Sequence, residues 1–119
     1  LGETYLIAAE AYLKAGNPGT GLDRLNEVRR RAGVANATAA EFNIDYILDE
    51  RGRELLGEYK RWFDLKRTGT LVARASAHNY KIKAANFVGF GGQLKILRPI
   101  PQVALDLNQN KDFPQNPGY

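Results

Sequence analysis

Residues 49 to 58 carry Asp49, Glu50, Glu54 and Glu58 around Arg51 and Arg53, the densest group of carboxylates in the chain. Paired carboxylates hydrolyse glycosidic bonds when two of them face each other across a cleft, usually from separate elements. Here they share a segment with helical periodicity, where Asp49 with Arg53, and Glu58 with Arg61, have the spacing of ion pairs. Pairing is therefore expected, and catalysis is not. His78 is the sole histidine and cysteine is absent, so no two-histidine or thiolate metal site can form within these residues. His78 is expected in a loop. The stretch Gly89-Phe90-Gly91-Gly92 lacks the Gly-x-x-x-x-Gly-Lys order that cradles phosphate. Neither a metal, a cofactor nor an enzymatic activity is expected.

The second candidate chemistry is aromatic. Trp62 and Phe63, between Arg61 and Asp64, could present a platform to a sugar ring, which needs an open aromatic face beside hydrogen-bonding groups. Trp62 instead continues a stripe begun by Leu55 and Tyr59, so both rings are expected to lock helices together, with Arg61 and Asp64 tying helix to loop at the edge. Tyr5, Tyr12, Tyr46 and Tyr59 lie in helical patterns and are expected in or beside the core. Tyr80 and Tyr119 lie in irregular segments and are the ligand-binding candidates to test first.

Those side chains need elements to position them. Leu6, Ala9 and Leu13 recur at helical spacing, Gly16 to Gly19 break the pattern, and Leu22, Leu25 and Val28 resume it until Gly33. Arg29, Arg30 and Arg31 stand at the end of that second helix, where cations complement its dipole. The hairpin resembles a tetratricopeptide repeat, with Tyr5, Ala8, Ala9, Tyr12, Gly21, Leu25 and Gly33 in the characteristic slots. Small Ala9 and Gly21 would let the two backbones approach, while Tyr12 and Leu25 fill the space beside them. Residues 34 to 42 read as a connector, and Asn43 is expected to cap a helix whose inner face carries Ile44, Ile47, Leu48, Leu55 and Leu56. Arg51 lies within that run, and residues 59 to 69 complete a second hairpin. The expected fold is mostly α: tetratricopeptide-like hairpins over 1–72, then over 73–119 an irregular loop, an extended crossover, a short helix and a packed tail of the same domain.

Composition narrows the function classes. The 119 residues are 44% hydrophobic and 25% charged, ordinary for a folded domain, and the net charge of +4 gives no reason to expect a nucleic-acid partner. No apolar run has the length of a membrane span, and the first residues do not form a signal-peptide pattern. The chain opens on Leu1 and lacks methionine. A preceding segment is expected on that ground.

The blocks "YLIAAEAYLKAGN", "LNEVRRRAGV", "ILDERGRELLGEYKRWFDLKRTG", "LRPIPQVALDLNQN" and "QNPGY" together resemble the carboxy-terminal part of the SusD/RagB family of outer-membrane nutrient-binding lipoproteins. Only residues 73–93 carry no family signature. The resemblance implies a protein several times longer, on the outer surface of Bacteroidetes cells, anchored through a lipidated upstream cysteine. It also implies a SusC-like TonB-dependent transporter as partner and a glycan or other nutrient as the ligand of the full-length protein. The segments Arg51 to Leu55 and Arg61 to Leu65 correspond to structural repeat helices, and the resemblance implies that the ligand contacts come mainly from parts of the longer protein outside these residues. The alternative is a free-standing helical-repeat adaptor that binds a peptide or protein partner, although two hairpins fall short of the three repeats a stable array usually needs.

Overall fold

Gly16 ends the first helix, α1 (Gly2–Lys14), by taking a φ of 77°, which lets its N–H reach the Leu13 carbonyl at 3.2 Å and the Asn17 N–H reach Tyr12 at 2.9 Å. Pro18 then opens α2 (Pro18–Arg31), where its missing N–H is harmless because first-turn donors have no helical partner. The second helix closes in the same way, with Gly33 bonded to Arg30 and Val34 to Arg29. These caps explain why two short helices fold back on each other. In this computed structural model, which describes residues 1–110 and 112–119, α1 and α2 form the most extensive helix pair.

Between them lies the closest approach in this hairpin. A Cβ added at Gly21 would stand 2.8 Å from the Ala9 carbonyl oxygen and 2.9 Å from the Phe42 ring, so only hydrogen fits there. Leu6, Leu25, Ile47 and Leu48 are fully buried in this region. Each contributes about 1.5 to 3 kcal/mol over its exposed state.

The connector is more than a linker. Ala37 and Phe42 belong to the core cluster of Leu6, Ala9, Leu25, Val28 and Ile47. Asn26, buried on α2, holds Ala37 from both sides, donating to its carbonyl at 3.1 Å and accepting from its N–H at 2.8 Å. That clamp satisfies backbone groups which burial would otherwise strand. Asn43 then caps α3 (Ile44–Glu54), its side chain accepting from the Tyr46 N–H at 2.9 Å.

The helix α3 stops at Glu54, one residue before Leu55, and Gly57 takes a φ of 84° in the turn that follows. The chain is helical again only in α4 (Arg61–Arg67). Leu56, expected on the inner face of α3, is therefore exposed. Residues Leu1–Asp64 form one compact unit and Leu65–Tyr119 a second.

In the second unit α5 (Leu71–His78) precedes short 3₁₀ turns at Ala84–Phe87 and Phe90–Gly92, and α6 (Gln102–Asp106) follows Pro101. The region from 86 to 95 is held by bonds from Gly89 N–H to Gln93 and from Lys95 N–H to Phe87, both 2.7 Å, and by a single antiparallel bridge, Val88 to Leu94. Among the described residues there is no strand, and the fold is mostly α. The tail packs as a strap: the Gln115 amide brackets the backbone of Ile100, accepting at 2.7 Å and donating at 2.9 Å, and Asn116 donates to Arg98 at 2.7 Å. Among the described residues no helix is long and apolar enough to cross a membrane.

Candidate functional site

Glu50 sits one turn beyond Tyr46 on α3, and Arg53 one turn beyond Glu50, so the three share a helix face. The carboxylate is buried, and its Oε2 accepts from Arg29 Nη1 and from Arg53 Nη2, each at 2.7 Å. Both guanidinium groups also lie over the Tyr46 ring, 5.5 and 5.9 Å from its centroid. Glu54 engages Arg31 through both oxygens at 2.7 Å. These contacts leave two carboxylates of one helix facing arginines, where glycoside hydrolysis needs them facing each other across a substrate. A hollow of about 440 Å³ opens beside them, lined by Ala32, Val34, Tyr46 and the charged groups Arg29, Glu50, Arg53 and Glu54. Among the described residues no group of His, Cys, Asp or Glu has the make-up of a metal site.

The second charged constellation joins α3 to α4. Arg51 donates from Nε to Asp64 Oδ2 at 2.8 Å, and both residues are buried. Its Nη2 reaches Glu3 at 3.4 Å, and Lys60 approaches the same carboxylate at 3.4 Å. The remaining Arg51 nitrogen, Nη1, is buried without a hydrogen-bond partner. Arg61 donates to the Leu48 carbonyl at 2.5 Å. Arg61 and Asp64 were expected to tie a helix to a loop at its edge. Instead both clasp α3, and Asp64 does so out of contact with water.

The aromatic expectations need correction. Trp62 is half-buried at the start of α4 rather than enclosed between helices, and Phe63 is 68% exposed. Tyr59 lies outside any helix with a φ of 58° and is 91% exposed. The cause is the break at residues 55 to 60: the stripe Leu55, Tyr59, Trp62 is regular in sequence but not carried on one continuous helix. Tyr12 is exposed on the last turn of α1, whereas Tyr5 and Tyr46 pack partly buried against the core. Leu25 is fully buried, and Gly21 lies against Ala9.

Tyr80 and Tyr119 are both open to solvent. Tyr80 is 82% exposed after the end of α5, with the Lys81 ammonium 5.4 Å from its ring centroid, and Tyr119 ends the chain beside Gly118. His78 is exposed as the last residue of α5 rather than in a loop.

Sequence reasoning missed the group around Tyr46, although Tyr46, Glu50 and Arg53 recur at intervals of four and three, a legible signal. Helix-dipole reasoning accounted for Arg29 and Arg31 without giving them their carboxylate partners. Glu41 was missed as well: its Oε2 accepts from the Thr38 N–H at 2.8 Å and from the Thr38 hydroxyl at 2.7 Å. Those two bonds, in that order, hold its carboxyl below the ordinary carboxylate range, with a smaller contribution from Arg29.

Comparison with known proteins adds what geometry does not. The sequence profile described as the SusD family matches residues 1–119. The starch-binding protein SusD of Bacteroides thetaiotaomicron is 32% identical over 119 residues, covering 100% of this chain and 20% of that protein. SusD-like protein P2 of Formosa agariphila is 33% identical over 129 residues, covering 98% of this chain and 24% of its own length. SusD-like protein P25 of the same organism is 32% identical over 117 residues. The chain thus spans about a fifth to a quarter of the length of the first two of these relatives. No solved structure matches it.

Proposed function

We propose a function from one premise: the chain belongs to the SusD family. On that premise residues 1–119 are the helical brace of a longer nutrient-binding protein, which binds its ligand without cleaving it. The ligand class carried over is starch or a related glycan, from the relative named for binding starch. The observation that supports a bracing role is the buried Arg51–Asp64 pair, whose charges meet at 2.8 Å and are turned to each other instead of to solvent. A charge pair placed in this way fixes how one helix meets the next, and offers a passing ligand little. The proposal extends to the traits that the family resemblance implies: a place at the outer-membrane surface, a lipid anchor on an upstream cysteine, and delivery of the ligand to a SusC-like TonB-dependent transporter.

Titration of the full-length polypeptide with soluble starch and a panel of other glycans tests this reading. The expected result is saturable binding of at least one glycan with no new reducing ends. Reducing ends that accumulate with time, or no binding across the panel, would overturn it.

A further inference from the structure

One buried carboxylate gathers two guanidinium groups beside the hollow at the end of α2. Glu50 Oε2 accepts from Arg29 Nη1 and Arg53 Nη2 at 2.7 Å and from Arg53 Nε at 3.2 Å. A guanidinium carries its N–H donors in a fixed fork, so a single oxygen cannot use all those of two arginines. Among the described residues Arg29 Nη2, Arg53 Nη1 and the Tyr46 hydroxyl make no hydrogen bond. Three donors around one hollow are thus left over.

The hollow suits a small ligand. Its volume of about 440 Å³ falls within the usual range of small-molecule pockets, and Ala32, Val34 and the Tyr46 ring give it an apolar part. Its accessible polar groups are mainly donors. Glu50 keeps one unbonded oxygen, Oε1, but its side chain is 6% exposed against 56% for Arg53, and both oxygens of Glu54 are taken by Arg31. The ion pairs at the hollow set the three cations Arg29, Arg31 and Arg53 against the two anions Glu50 and Glu54. Glu41 also attracts Arg29, yet keeps its own carboxylate on Thr38. Arg29 is fixed in advance: its Nε donates to the Ala35 carbonyl at 2.8 Å, its Nη1 to Glu50, and its plane lies over Tyr46. A ligand that meets it need not bear the entropy of ordering that side chain.

We propose that this hollow binds a small organic acid, whose carboxylate accepts from Arg29 Nη2 and Arg53 Nη1 with the Tyr46 hydroxyl as a third donor. A carboxylate brings only acceptors and matches the planar fork of a guanidinium, which a neutral hydroxyl does not. The site is separate from the starch or related glycan proposed above, and it does not rest on the bracing role. Two kinds of molecule carry the group on a compact body. A sugar acid adds ring hydroxyls, one of which can donate to Glu50 Oε1; a hydrocarbon acid adds an apolar ring that covers Ala32 and Val34.

Calorimetric titration of the full-length polypeptide with glucuronate, cyclohexanecarboxylate and uncharged glucose tests the proposal. At least one carboxylate is expected to bind saturably with a Kd of about 1 mM or tighter. The tighter of the two identifies the kind of acid. Arg53→Gln is expected to weaken that binding at least about 10-fold, the loss of one charge-assisted hydrogen bond. Lys66→Gln, which removes the same charge from an exposed position on α4, should leave it unchanged. If Arg53→Gln does not fold, Tyr46→Phe removes only the hydroxyl and should weaken binding at least about threefold. The proposal is overturned if neither carboxylate saturates, if glucose shows the same Arg53-dependent binding as glucuronate, or if the variants at the hollow bind as tightly as Lys66→Gln. The starch titration reads a neutral ligand, so the two proposals fail independently.

Discussion

Arg51 and Asp64 are each nearly sealed from solvent, and an ion pair in that position is costly to halve. Asp64→Ala leaves a buried guanidinium without its carboxylate and is expected to cost about 3 to 5 kcal/mol in a denaturant titration. The double replacement Arg51→Met with Asp64→Leu removes both charges and is expected to cost far less; equal losses would contradict the account of the pair. Glu41 gives a different signature. Its carboxyl is lowered by the Thr38 bonds, so the stabilisation is fully present above the ordinary carboxylate range and is lost as pH falls through the lowered value. Glu41→Gln is therefore expected to flatten the acid limb of a stability-versus-pH curve, and an unchanged limb would count against those bonds. Local spacing could have disclosed Thr38 with Glu41, three residues apart, but not Arg51 with Asp64. The helical ion-pair rule led to Asp49 with Arg53 and Glu58 with Arg61, but Arg53 bonds Glu50 and Arg61 bonds a backbone carbonyl. The contacts that join helices, Arg29 to Glu50 and Arg51 to Asp64, span 21 and 13 residues.

Helices with a terminating signal written beside them were legible. Gly16 and Gly33 mark the ends of α1 and α2, and Asn43 marks the start of α3, because each of these caps is a bond between near neighbours. The small residues of the hairpin were also legible, since a repeat of this type needs close backbones at fixed slots. Gly21→Ala would press a methyl group against the Ala9 carbonyl and the Phe42 ring, and is expected to destabilise the first unit by about 1 to 3 kcal/mol on thermal or chemical unfolding. A neutral or stabilising result would mean that α1 and α2 do not approach as described. The end of α3 was not legible from periodicity. Leu55, Leu56, Tyr59 and Trp62 maintain helical spacing in the sequence, but Gly57 adopts the left-handed region and the chain leaves the helix. Spacing records which residues would align if a helix continued, and it carries no information on whether the backbone does so. The connector failed for the opposite reason: a polar, small-residue segment hid the buried Ala37 and Phe42, whose place depends on the distant clamp from Asn26.

At the scale of the whole molecule, the mostly helical class followed from apolar periodicity and the family from motif order along the chain, and the helices observed and the profile match over residues 1–119 agree with those readings. The exposure of Val88, Phe90, Leu94 and Ile96 was not readable, because a segment without sustained periodicity does not reveal which of its apolar side chains are covered. The open rings qualify the bracing role without reversing it. Phe63, Tyr59 and Tyr80 are accessible, so aromatic surface is present for a ligand to test. The bracing account holds that such isolated rings, without a shared cleft of hydrogen-bonding groups, do not make a receptor. Calorimetric titration of residues 1–119 alone, with the glycan that the full-length polypeptide binds, measures this directly. The account predicts no saturable heat and no protection of Tyr80 or Tyr119; tight, saturable binding with either tyrosine protected would contradict it.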